Sequence, residues 1–242
     1  MDVTANNTLN LCTTFAEAAL LTEVPPAFEG LARARIITEV PELRYAALVN
    51  HLNNLAPVEG FMFRTYSPAS GDECGEPRMY FTERNAVLID VVRKQIENWK
   101  PLLHRAEYAW LLVDLVKATN RVSNVAGTYG CYLKKWKARA LEPLALRVDL
   151  EARSGPVGTV HRGEANELAG RVQADIVYAD PPYTKRQYAA YYHVLETLIA
   201  NDEPVVSGST GLRPWEHASS DYCYRRRAPN ALSDHLLQHQ SV

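Results

Sequence analysis

Residues 175–188 read DIVYADPPYTKRQY. Ile176, Val177 and Tyr178 make a short apolar, β-forming run, the pattern of a strand buried in a parallel sheet. Pro181 and Pro182 end that run, because neither donates a ladder hydrogen bond and each forces the residue before it to be extended. Asp180 is thereby presented on a stiff turn at the carboxyl end of a strand, the edge where open α/β sheets bind ligands. Three long polar side chains, Lys185, Arg186 and Gln187, follow almost at once. For an isolated Asp-Pro step the plainer reading is a strand-ending turn in which aspartate caps and proline punctuates.

The surrounding sequence moves the balance. Downstream lie RQYAAYYHVLETL (186–198) and GSTGLRPWE (208–216); upstream lie GFMFRTYSP (60–68), RMYFTERNAVLID (78–90) and NVAGTYGCYLKKWKARAL (124–141). With Asp180-Pro181-Pro182-Tyr183, this ordered set resembles the D12 class of adenine-N6 DNA methyltransferases over residues 36–225. The resemblance implies an α/β fold, a mostly parallel Rossmann-like sheet with a helical insertion. It implies methyl transfer from S-adenosylmethionine to adenine N6 in double-stranded DNA, as the modification half of a restriction system with a cognate endonuclease. Related Asn/Asp-Pro-Pro-Tyr loops also serve glutamine side chains and RNA, and the recognition insertion favours a duplex.

Physical chemistry explains why such a loop suits that task. An exocyclic adenine amine is a poor nucleophile, since its lone pair is delocalised into the ring. A carboxylate and a carbonyl accepting from its N–H groups favour the form whose lone pair is available. By resemblance these acceptors are the Asp180 side chain and the Pro181 carbonyl, fixed by Pro182 as preorganised electrostatics. Tyr183 would stack on an adenine flipped out of the duplex. The methyl moves by in-line displacement, so positioning is most of the catalysis, and no metal is called for.

Composition sets looser bounds. The chain has 242 residues, 47% of them hydrophobic, and a formal charge of −2. A nucleic-acid surface must therefore be local rather than global. Cys12, Cys74, Cys131 and Cys223 are far apart, which fits free thiols in a reducing cytoplasm better than disulfides or zinc. No signal peptide or membrane span is expected.

Three regions are expected: residues 1–56 and 151–242 as two parts of a cofactor-binding α/β domain, and 57–150 as a helical insertion for DNA target recognition. Residues 34–40 read as a strand ending in Glu39, followed by a helix opened by Pro41. In the D12 class an acid at this place holds the cofactor ribose, which nominates Glu39; an exposed helix-capping glutamate is the plainer reading. Prolines and glycines mark 57–84 as loop-rich. Residues 85–100 predict an amphipathic helix capped by Asn85, and EYAWLLVDLVKATNRVSN (107–124) a buried one.

The stretch GTYGCYLKKWKARAL (127–141) is the nucleic-acid candidate. Lys134, Lys135, Lys137 and Arg139 can neutralise phosphates, Tyr129, Tyr132 or Trp136 can stack or wedge, and Lys185 and Arg186 join them from the catalytic loop. A solvated helix face with Trp136 in the core is the alternative. His193, in an apolar helix, reads as structural. Residues 159–168 read as a strand and turn; Glu164 and Ala165 stand where the D12 class meets the cofactor adenine, alongside Asp180.

The first cofactor motif departs from the family pattern. It should be an F-x-G-x-G turn, and the matching place offers Phe15 within FAEAA, with Glu17 and Ala19 where glycines belong. A β-carbon and a carboxylate there predict weak binding of the donor. Few residues follow Tyr183 for the remaining strands, so the chain reads as a truncated or degenerate relative. The alternative function is accordingly a non-catalytic remnant that binds DNA or a partner protein.

Overall fold

The computed structural model describes residues 42–71, 75–148, 187–220 and 223, and the backbone of 19–20 and 160–161. These residues are helical, and they do not form the mostly parallel Rossmann-like sheet expected from the sequence. Among them the only strands are β1 (Ala19–Leu20) and β2 (Val160–His161), a parallel pair with Ala19 opposite Val160. The strands expected at 34–40 and 175–179 lie outside the described residues. The physical reason for the helical outcome is the spacing of apolar residues, which across the described chain follows the helical period.

Helix α1 spans Glu42–Asn53, α2 Phe61–Tyr66, α3 Glu83–Trp99 and α4 Arg105–Arg121. Helix α3 buries Ile89, Val92 and Ile96 on one face. It begins two residues earlier than the sequence predicts, because Thr82 and not Asn85 is the N-cap, its hydroxyl accepting from the Asn85 N–H. Helix α4 is buried almost all round, as expected, and a capping box of His104 and Glu107 starts it. Glu107 also takes Arg44 of α1 at 2.5 Å, while Tyr45 of α1 donates to buried Asp114 at 2.7 Å. These two contacts lash α1 across α4.

The loop-rich expectation for 57–84 is corrected by α2. Its N-terminus has no cap of its own. Asp90 on α3 supplies one from outside, accepting from the N–H groups of Gly60, Met62 and Phe63 at 2.8–3.0 Å. A six-residue helix capped across space leaves no local sequence signal.

Helices α5 (Tyr188–Tyr191) and α6 (His193–Ala200) return the chain to this core. Arg93, buried in α3, closes the end of α6 by donating to the carbonyls of Leu198 and Ile199. The turn after α6, with Ser207 bridged to Leu212, is held by its carbonyl oxygens. Buried Arg78 donates to Gly208, Ser209 and, in α2, Thr65. The Tyr80 hydroxyl lies 3.1 Å from the Thr210 carbonyl, and Tyr66 donates to Gly211 at 3.0 Å. His193 is wholly buried, edge-on to the Tyr66 and Tyr80 rings, with Nε2 3.3 Å from the Thr210 carbonyl. The sequence reading of His193 as structural agrees with this packing.

Gly208 and Gly211 both have positive φ, at 69° and 65°. A β-carbon on Gly208 meets open space, whereas one on Gly211 comes within 3.0 Å of Arg78 and 3.1 Å of Tyr66. Gly208→Ala should therefore cost only the left-handed strain, about 1–2 kcal/mol. Gly211→Ala should cost more, since the clamp itself must shift. Urea unfolding of the two variants measures the gap, and equal midpoints would refute the clamp.

Opposed titrations follow from the same packing. Burial, with Arg213 nearby, holds the His193 imidazole down at about 4. The unfolded chain then takes up the proton first, so stability tied to His193 is full above about pH 6.5 and falls as pH drops towards 4. Burial raises the Asp90 carboxyl to about 6, against the lowering by its hydrogen bonds from Met62, Phe63 and Gly60. Its folded form binds the proton first, so the stability tied to it grows on acidification over the same window. Relative to the parent, His193→Gln should make the acid slope of stability more favourable and Asp90→Asn less so. Chemical unfolding at several pH values between about 4 and 7 checks the signs, and slope changes of the same sign would reject this account.

Candidate nucleic-acid interface

Beyond Arg121 the chain leaves α4 and runs to Val148 with little regular structure, so its peptide groups need partners from elsewhere. Three asparagines supply them. Asn124, fully buried, donates from Nδ2 to the carbonyls of Met79 and Leu133 and accepts from the Lys137 N–H. Asn85 donates to the carbonyls of Ala140 and Glu142 and accepts from the Leu144 N–H. Asn53, at the end of α1, pairs with both the N–H and the carbonyl of Leu146. Leu144 and Leu146 of the strap turn into the core. The basic segment is therefore an irregular strap fastened to helices, and not the helix face weighed from its charge pattern; its only helical turn is a 3-10 turn, Ala138–Leu141.

Lys134, Lys135 and Arg139 are exposed on the strap. Lys137 is committed to the fold, its Nζ donating to the Val125 carbonyl. Tyr129 is also in the core: its hydroxyl donates to Asn120 at 2.6 Å, and burial raises its pKa. As placed here its ring does not face a ligand. Tyr132 packs its ring on Tyr80, and Trp136 is half-buried. The sequence reading missed Asn53, Asn85 and Asn124 as fasteners, and no spacing rule distinguishes such an asparagine from a cap.

The strap begins against α5. The Tyr129 N–H donates to the Tyr191 carbonyl at the end of α5. A β-carbon on Gly130 would stand 2.8 Å from the Tyr191 ring, so only glycine allows the approach. Gln187 fastens the start of α5 as the asparagines fasten the strap, its amide pairing with both the N–H and the carbonyl of Ser220. Asp180, Pro181, Pro182, Tyr183, Lys185 and Arg186 themselves lie outside the described residues, as do Phe15, Glu39, Glu164 and Ala165.

Phe15 precedes Ala19 by four residues, and Glu164 follows His161 by three. The parallel pairing of Ala19–Leu20 with Val160–His161 thus joins backbone that is close in sequence to each of these two candidates. Ala19 is in an extended pair there, and not in the turn expected of it.

Comparison with known proteins decides the family. Residues 31–242 match the D12 class N6 adenine-specific DNA methyltransferase family. The chain belongs to that family. It is 42% identical to Type II methyltransferase M.FokI of Planomicrobium okeanokoites, over 74% of this chain and 27% of that protein. It is 39% identical to Type II methyltransferase M.NlaIII of Neisseria lactamica, over 75% of this chain and 53% of that protein. Modification methylase StsI of Streptococcus sanguinis is 35% identical over 92% of this chain and 32% of its own length. The chain thus spans between about a quarter and about half of these relatives. No solved structure matches it. Among the described residues no helix is long and apolar enough to cross a membrane, no cluster of metal ligands occurs, and Cys131 and Cys223 are free thiols.

If Lys134 and Lys135 neutralise phosphates, replacing both by alanine should flatten the log–log salt dependence of duplex binding by roughly twice 0.9. Their exposure means the fold should be untouched. A salt titration followed by fluorescence anisotropy gives the slope, and an unchanged slope returns the two lysines to plain solvated charge.

Proposed function

We propose that this chain methylates adenine N6 in double-stranded DNA with S-adenosylmethionine as donor, as the modification half of a restriction system with a cognate endonuclease, in the cytoplasm. The observation that carries the reading is the family match, whose span contains Asp180-Pro181-Pro182-Tyr183. The contact of the Tyr129–Gly130 backbone with Tyr191 supports it, because phosphate-binding and base-handling segments must be fixed relative to each other.

In this reading the strap's exposed cations hold the backbone of a duplex whose target adenine is flipped out. Asp180 and the Pro181 carbonyl accept from the exocyclic N–H groups, leaving the nitrogen lone pair free to attack. Tyr183 stacks on the base. Bound S-adenosylmethionine supplies an electrophilic methyl group; Phe15, Glu39, Glu164 and Ala165 would hold it. Lys185 and Arg186 add phosphate contacts beside the catalytic loop.

Asp180→Ala should abolish methyl transfer while leaving the unfolding midpoint unchanged. Radiolabelled methyl incorporation into duplex DNA and a thermal melt, taken on the same preparation, test this. Activity near that of the unaltered chain would remove Asp180 from the chemistry.

A further inference from the structure

We infer that Arg121, Arg139 and Arg147 form a second seat for a DNA backbone phosphate, apart from Lys134 and Lys135. The inference rests on the DNA reading above and extends it to Arg121 and Arg147, which the basic-run pattern does not assign, grouping them with Arg139, which it does.

The geometry begins with the strap. Arg121, in the last turn of α4, donates from Nη2 to the Ala145 carbonyl at 2.7 Å. That contact brings the helix end to a strap residue two positions before Arg147. Asn53 fixes the intervening Leu146 through both its backbone groups. Arg139 lies in the 3-10 turn whose Ala140 carbonyl Asn85 holds. The backbones that carry the three arginines, at a helix end, a 3-10 turn and the extended strap, are thus each fixed, and Arg139 and Arg147 are near enough for their charges to act on Arg121.

Their charges are not neutralised locally. Arg139 and Arg147 are exposed, and among the described residues neither makes an ion pair with a carboxylate. Burial and the charges of Arg147 and Arg139 lower the pKa of Arg121, against the pull of Asp114. Asp114 itself is buried and takes the Tyr45 hydroxyl. Like charges held close work against the compact state unless an anion joins them. Guanidinium groups are the side chains best shaped to take a phosphate through paired N–H donors.

A seat built for a ligand predicts that function and stability part company. The Arg139→Ala, Arg147→Ala double variant of the full chain should unfold at the same urea concentration as the parent or a higher one. Its binding to a mixed-sequence DNA duplex should weaken, with the log–log salt slope flattened by roughly twice 0.9. Arg121 is left in place because it also holds Ala145. Duplex binding whose slope falls in the Lys134/Lys135 variant but not in the arginine variant would overturn this seat and leave the DNA reading standing. A destabilised arginine variant with an unchanged slope would overturn it too, in favour of a structural role. Absence of salt-dependent duplex binding by the unaltered chain would overturn both.

Discussion

The side-chain amide of Asn85 shows the constraint on which the described part of the fold depends. Chain that runs over helices without a strand partner leaves N–H and carbonyl groups that must still be paired. Here the pairing comes from side chains of the helices and their flanks. Asn85, Asn53 and Asn124 serve residues 133–146, Arg78 serves the 207–212 turn, Arg93 the end of α6, and Gln187 the backbone at Ser220. An amide suits this best, since one planar group offers both a donor and an acceptor. Loss of one such group strands several backbone partners at once, each costing about 1–3 kcal/mol when buried. The irregular segments are in this way as firmly placed as the helices they cross.

That arrangement also explains what could and could not be read from the sequence. Helices α3 and α4 were legible because burial of Ile89, Val92 and Ile96, or of the Leu111–Val116 run, follows from local periodicity. Asn85 was misread as a cap because asparagine before an apolar run favours that role, and its true partners lie more than fifty residues away. Helix α2 was hidden for the same reason: Asp90, its cap, belongs to another helix. The parallel sheet was inferred from apolar runs and from family likeness, and the described residues are helical instead. The Asp180-Pro181-Pro182-Tyr183 tetrapeptide was legible as a motif, and it lies inside the span that matches the family. Tyr129 was legible as an aromatic in a basic stretch but not as a core residue, because burial depends on Asn120 and Tyr80.

Charge shows a similar division between local and global. A formal charge of −2 gives no long-range pull towards DNA. Several acids are instead consumed within the fold. Glu107 is taken by Arg44, and Asp202 by Arg213. Glu97, which burial alone would raise, is drawn down to about 2 by hydrogen bonds from Lys100, Tyr108 and Arg93. Lys134, Lys135, Arg139 and Arg147 meet no carboxylate within ion-pair distance among the described residues, so the strap keeps the local excess of cations that its own sequence carries.

A short path of hydrogen bonds joins the strap to α5 and to the turn after α6. Tyr129 ties its N–H to Tyr191 and its hydroxyl to Asn120 of α4, while its carbonyl is within 2.9 Å of the Tyr80 hydroxyl. Tyr80 reaches the Thr210 carbonyl in the clamped turn. The same residue, buried and so unavailable as a stacking surface, is therefore the junction of the strap, the α5 segment, α4 and the 207–212 turn. Transfer to a flipped base tolerates little positional error, because most of the available acceleration comes from alignment of the reacting atoms. On the proposed reading, a buried tyrosine that fixes the start of the strap to α5 meets that demand better than an exposed one, whose ring would be free to move with the DNA it touched.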